Sequence, residues 1–227
     1  MANLVAAVVF FLGIHFGVSG TALRGRLVKL IGEKAFRGLF ALASIAGLIW
    51  LIRAYATAPY LRTWGRLTVL DPLAPPLMLV AAVFVVVGIS TPSPTTAGME
   101  SQLTRAVQVR GITRITRHPF LWGVALWAFV HFVINGDVAA ALVFGSLLLL
   151  AVVGTSSIDA KRRHAFGERW ERFSSETSNI PFAAILQRRN YFWPAVREIG
   201  FVRPLIAVVV FVALFQLHGR LFGVPLT

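Results

Sequence analysis

Six stretches of this 227-residue chain carry no charged side chain, and they limit what it can fold into. They are Met1 to Leu23, the window between Arg37 and Arg53, Pro72 to Thr91, Pro119 to Gly136, Val138 to Ile158, and the window between Arg203 and Arg220. A helix crossing a bilayer needs about 20 mostly apolar residues. Soluble domains carry roughly 25% charged residues, whereas this chain has 14%, with 57% hydrophobic. The expectation is an all-α, polytopic integral membrane helical bundle of about six transmembrane helices. It forms one domain over residues 1–227, with the lipid bilayer as its first partner. The window between Arg37 and Arg53 is short, so these two arginines are expected to snorkel to the interfaces. The first window lacks a basic n-region and a clear cleavage site, so it reads as a retained helix and not as a signal peptide.

The net charge of +13 does not mark a nucleic-acid binder. All but four of the basic residues fall in three loops: Arg24 to Arg37, Arg105 to Arg117, and Lys161 to Arg203. The exceptions are Arg53, Arg62, Arg66 and Arg220. These loops alternate onto one side, which the positive-inside rule makes cytoplasmic. Both termini are then periplasmic, in a bacterial inner membrane. Residues 159–203 form the largest polar segment. Its first part, to Glu176, reads as a cytoplasmic extension of the fifth helix, broken at Asn179-Ile180-Pro181. Its second part, with Tyr191-Phe192-Trp193, reads as interfacial. The Asn135-Gly136-Asp137 turn reads as a tight hairpin between spans four and five.

Cysteine is absent, which excludes disulfides, thiolate haem ligation, iron–sulfur clusters and cysteine nucleophiles. What remains for intramembrane chemistry is histidine. An ionisable side chain inside a span is costly and so usually has a role or a partner; imidazole also ligates iron. His15 lies in the first span and His131 in the fourth. At 100° per residue His15 shares a face with Leu12 and Ser19, with Gly13 and Gly17 on the other side as a small-residue pair suited to close helix packing. His131 shares a face with Phe120, Val124, Trp127, Ala128 and Asn135, a flat aromatic surface that suits a macrocycle. Such faces are more often ordinary core, and lone histidines often only tie helices together. At ~1.5 Å per residue both histidines come near the middle third of the bilayer.

His118 belongs elsewhere. In Arg114-Ile115-Thr116-Arg117-His118-Pro119 it stands at a helix start, with Thr116 or Arg117 near the N-cap and Pro119 at the first helical position. Free N–H groups beside Arg114, Arg117 and His118 make an anion site for a cofactor's acidic end or a lipid phosphate. The plainer alternative is a positive flank with a capping histidine.

Phe10-Phe11-Leu12-Gly13-Ile14-His15 with Ser19-Gly20, and Thr116-Arg117-His118-Pro119 with Trp122-Gly123, Trp127, His131 and Asn135-Gly136-Asp137, resemble the NnrU family. The resemblance spans most of residues 4 to 165. The family takes in bacterial membrane proteins linked to nitrite and nitric oxide metabolism, and the 15-cis-zeta-carotene isomerases of plants and cyanobacteria. The resemblance implies haem b held by His15 and His131; the helix start with Arg114, Arg117 and His118 would hold the cofactor's anionic end, and the face carrying Trp127 its flat body. Nitric oxide or a hydrophobic small molecule is the implied ligand. The implied role lies in denitrification metabolism or redox signalling; carotenoid-type cis–trans isomerisation on the same site is an alternative. The plant isomerase has a cysteine three residues before its fourth-span ligand, where this chain has Ala128. A looser resemblance, over about 60 residues, is to the isoprenylcysteine carboxyl methyltransferase superfamily. It rests on Arg117-His118-Pro119 with Gly123, and on Phe166-Gly167 followed by Trp170, Phe173 and Pro181. It implies S-adenosylmethionine as cofactor and a carboxylate near Asp159. A non-enzymatic assembly or scaffold protein is the remaining expectation.

Overall fold

The computed structural model describes residues 1–96, 98–99, 103 and 109–223. Arg105, counted above among the loop charges, lies outside the described residues. Among the described residues ten α-helices follow in chain order: α1 (Ala2–Leu12), α2 (Ala22–Ile31), α3 (Glu33–Ala56), α4 (Ala74–Ser90), α5 (Pro119–Asn135), α6 (Val138–Phe166), α7 (Glu168–Glu176), α8 (Ala183–Leu186), α9 (Phe192–Ile199) and α10 (Val202–Phe222). Gly13–Ser19 is a π-helical continuation of α1. Thr68–Leu73 and Gly111–Arg114 are 3-10 turns. The one β-type pairing among the described residues is an isolated bridge between Arg62 and Asp137.

Among the described residues five helical stretches are long and apolar enough to cross a membrane: Ala2–Ser19, Glu33–Ala56, Thr68–Ser90, Val138–Phe166 and Val202–Phe222. The expected fourth span, α5, has 17 residues, about 25 Å at ~1.5 Å per residue, the short end of what crosses a bilayer.

Several boundaries differ from the sequence expectation. The first span stops at Ser19, because Gly20 and Thr21 leave the helix. Thr21 then caps α2, its Oγ1 accepting from Leu23 N at 3.2 Å, so Arg24, Arg26 and Lys29 ride on a separate short helix. The second span is a full 24 residues, with Arg37 and Arg53 inside the helix. The fifth helix ends at Phe166, where Gly167 adopts φ +50° and turns the chain into α7. Gly13 and Gly17 have open space where a Cβ would sit. No described element packs closely there, so the small-residue pair is not a helix contact within this chain.

The chain divides into two compact units. The first comprises Met1–Asp71 and His131–Leu150. Its core joins Leu4, Ala7 and Val8 of α1 to Leu51 and Ala54 of α3 and to Ala139 and Val143 of α6. These are small or branched residues at helical spacing, which lets apolar helices approach closely. At one end of this unit the loop after α3 grips the α5–α6 turn. Gly136 ends α5 at φ +61°, and its carbonyl accepts from Thr63 N at 3.0 Å and Gly65 N at 2.9 Å. Leu67 N donates to Ile134 O, Val138 N to Leu61 O, and Trp64 Nε1 to Val133 O at 2.8 Å. Asp137 caps α6, its Oδ1 accepting from Ala140 N at 3.0 Å. A Cβ on Gly136 would lie 1.9 Å from Gly65 O, so glycine is required for the approach as well as for the φ angle.

The second unit comprises Pro72–Val130 and Ala151–Thr227. Here α4 packs along α10. Gly123 lets α5 close on α4; a Cβ there would meet Ala81 O and Val85 N at 2.9 Å. Helix α7 is amphipathic. It buries Trp170 and Phe173 against Val109 and Leu103 and turns Glu168, Arg169, Glu171 and Arg172 outward.

Candidate functional site: two histidines and a buried ion-pair cluster

His15 sits one turn beyond Phe11, inside the π-helical segment. Such wide turns are rare and are found disproportionately at functional sites. The face arithmetic of an ordinary α-helix therefore does not hold at this residue. The ring lies 4.5 Å from that of Phe11 and 5.3 Å, edge-on, from that of Phe40, centroid to centroid. Its Nδ1 is 2.7 Å from Phe11 O. A carbonyl has no proton to give, so Nδ1 carries a hydrogen; of the two neutral tautomers this selects the one in which Nε2 holds the lone pair. Metal-binding histidines are oriented in this way, by a hydrogen bond from the nitrogen that does not ligate.

His131 lies in the same unit, on the last turns of α5. It stacks on Phe144 of α6, centroids 4.6 Å apart and planes inclined by 22°. Phe144 is held edge-on by Tyr55. Both histidines are half-buried. Trp127 and Ala128 belong to the second unit; Trp127 is half-buried and Ala128 fully buried. Among the described residues no group of three or more His, Asp or Glu side chains is arranged to hold a metal ion. Haem needs only one or two axial imidazoles, and the donor chemistry at His15 and His131 fits that requirement.

The start of α5 is built differently. Thr116 Oγ1 accepts from His118 N at 3.2 Å in a turn just ahead of the helix, and donates to Asn179 O. Arg117 N donates to Ser178 O at 2.9 Å, and Trp122 Nε1 to Asn179 O at 2.8 Å. The loop after α7 is thereby tied to the helix start. At the centre lies Asp159 of α6. Its carboxylate accepts from Arg117 Nη2 at 2.5 Å and Nε at 3.0 Å, from His118 Nε2 at 2.6 Å, and from Asn179 Nδ2 at 3.3 Å. The Arg117 guanidinium also lies over the Trp170 ring, 5.5 Å from its centroid.

His118 is 2% exposed. Burial pushes its imidazole below the usual histidine value, against the pull of Asp159. It is neutral near pH 7 and donates through Nε2. Arg114 pairs with Glu198, Nε to Oε2 at 2.8 Å, and donates to Asn190 Oδ1. That hydrogen bond raises the arginine further and holds the Glu198 carboxyl below the usual glutamate range. The anionic partners of Arg114, Arg117 and His118 within the chain are thus Glu198 and Asp159. Glu198, Asn179 and Asn190 were not legible as partners, because each is more than 55 residues away in sequence. The methyltransferase-like resemblance marks a carboxylate near Asp159, but not its pairing with Arg117 and His118. Trp170 and Phe173, which the methyltransferase-like pattern singles out, are core residues.

Together these features define a polytopic helical membrane protein with two imidazoles placed on apolar, aromatic helix faces. The chain belongs to the NnrU family, whose description, NnrU protein, matches residues 3–226. It is 28% identical over 206 residues to the chloroplastic 15-cis-zeta-carotene isomerase of Arabidopsis thaliana, covering 82% of this chain and 51% of that protein. It is 31% identical over 98 residues to the chloroplastic 15-cis-zeta-carotene isomerase of Zea mays, covering 43% of this chain and 27% of that protein. The chain thus spans about half the length, or less, of the curated relatives it matches. No solved structure matches it.

Proposed function

We propose that this protein is a haem b-binding membrane protein with an isomerase-like role, its iron held by His15 and His131. The observation that carries the reading is the 2.7 Å hydrogen bond from His15 Nδ1 to Phe11 O, within a π-helical turn of an apolar helix. It leaves Nε2 as a donor atom in surroundings where an imidazole has little other reason to stand. His131, stacked on Phe144, supplies the second imidazole from the same unit. Haem, when bound, would supply a redox-active iron, with His15 and His131 as the residues that would hold it. The chain's own part is to orient the imidazoles and keep water from the aromatic surroundings. Similarity to the 15-cis-zeta-carotene isomerases supports a hydrophobic, conjugated substrate. A second reading places the same site in nitrite and nitric oxide metabolism. Ala128, standing where the plant isomerase has cysteine, favours it. We place the protein in a bacterial inner membrane, with residues 159–203 cytoplasmic and both termini periplasmic.

The test is a visible spectrum of the protein purified with haem in supply. A Soret band in the wild type, lost or shifted in both His15→Ala and His131→Ala, sustains the site. Wild-type spectra in both variants, or no haem in the wild type, refute it. Chromatography of a 15-cis polyene incubated with the loaded protein, beside a nitric oxide titration, separates the two readings.

A further inference from the structure

The loop between α7 and α9 lines an open hollow of about 460 Å³ on the second unit. Three guanidinium groups line it, from Arg117, Arg163 and Arg189, against one lining carboxylate, Glu171. Arg117 is matched by Asp159, and Arg163 by Glu171 at 2.8 Å. Among the described residues Arg189 has no carboxylate partner. Its nitrogens reach Thr177 O at 2.9 Å, Ser175 O, and Gln187 Oε1 at 2.6 Å. A net positive charge is therefore fixed at the wall of a polar hollow. Two non-glycine residues with left-handed backbone, Phe182 at φ +65° and Arg188 at φ +57°, bracket the α8 turn beside it. Strain of this kind persists where the surroundings over-determine it, as at ligand clamps.

The position of the hollow narrows the ligand. Ile180, on its wall, is 63% exposed. Nearby in sequence Leu186, Tyr191, Trp193 and Phe201 are 67–80% exposed, interleaved with Arg188 and Arg197. Exposed aromatics among arginines match the headgroup level of a bilayer. The segment runs directly into α10, which is long and apolar enough to span. We propose that this hollow binds the phosphate of an anionic membrane lipid. Arg189 is its principal contact and Arg163 closes it from α6. The proposal is independent of the haem reading and needs neither histidine.

The full chain, purified in detergent, is titrated with mixed micelles of phosphatidylglycerol or phosphatidylcholine, and separately with inorganic phosphate. Retained lipid is read by native mass spectrometry. The wild type should retain phosphatidylglycerol about tenfold better than phosphatidylcholine, the scale of one charge-assisted contact. Arg189→Gln should lose most of that preference, and Arg189→Lys should keep much of it. Because Arg189 also holds the carbonyls at the end of α7, Arg163→Gln is the second variant, expected to lose about half the preference on a logarithmic scale. Equal retention of the two lipids, or wild-type preference in both Gln variants, overturns the proposal. Binding of inorganic phosphate without lipid preference keeps the phosphate site and overturns the lipid as its source.

Discussion

Replacing Asp159 by asparagine changes one atom and removes the charge around which the start of α5 is organised. In the wild type the two carboxylate oxygens accept from Arg117, His118 and Asn179. The Arg117 and Asp159 side chains are only 11% and 12% exposed. The variant keeps one acceptor oxygen and turns an NH₂ donor toward Arg117 or His118, both of which only donate here. Breaking a buried ion pair from one side costs about 3–5 kcal/mol, because the surviving charge is left without compensation. Arg117 keeps its bond to Thr177 O and its place over Trp170. The loss should therefore fall near the lower figure, about 3 kcal/mol, or roughly 150-fold in the unfolding equilibrium. The assay is reversible unfolding in mixed micelles followed by helical circular dichroism. The double variant Arg117→Gln/Asp159→Asn removes both charges and should recover about 1–2 kcal/mol of the loss. An Asp159→Asn protein within about 0.5 kcal/mol of wild type, the range of an ordinary surface change, would refute the reasoning. So would a double variant no more stable than Asp159→Asn alone.

Gly136→Ala should destabilise the protein by more than ~2 kcal/mol, since it adds left-handed strain to a clash with Gly65 O; Gly17→Ala, in open space, should be nearly neutral in the same unfolding assay. The depressed Glu198 carboxyl contributes stability that is complete above the usual glutamate value of 4.5 and is lost as pH falls through its lower folded value. Glu198→Gln should therefore flatten the acid limb of a stability–pH curve, and an unchanged limb would count against the Arg114 pair. His118, whose folded value is lowered by burial, acts in the same direction below its ordinary value of 6.5; His118→Gln should reduce the loss of stability as pH falls below 6.5. Reporter fusions at Gly98 and at Thr227, which lies outside the described residues, should report opposite sides of the membrane, and the same side for both would contradict the charge-derived topology.

The apolar windows located the long helices because a bilayer tests length and charge, and both can be read from sequence alone. The first window misled at its end. Nothing in Ser19-Gly20-Thr21-Ala22 is charged, yet Thr21 offers a cap, and a new helix starts there. Gly13 and Gly17 misled for another reason, since small-residue spacing shows where helices are able to meet and not whether a partner arrives. Thr116, His118 and Pro119 were placed correctly at a helix start, because a helix start is a local matter. Their partners were not, because Asp159, Asn179 and Glu198 are brought to them only by the fold. The π-helical turn around His15 has no periodicity signal in a window this uniformly apolar.

The seal between Gly65 and Gly136 also sets an order of assembly. The loop carrying Thr63, Trp64 and Gly65 is synthesised about seventy residues before the turn that holds it. The bonds of Thr63 and Gly65 to Gly136, and of Trp64 to Val133, can form only once α5 has been made and turned at Gly136. Closure of the loop requires that Asn135-Gly136-Asp137 reach the same side of the membrane. A chain with one span inverted would have its two halves on opposite faces of the bilayer, with no means of joining them. This glycine contact thus spans a long stretch of chain and can close only when both of its sides lie on one face of the bilayer.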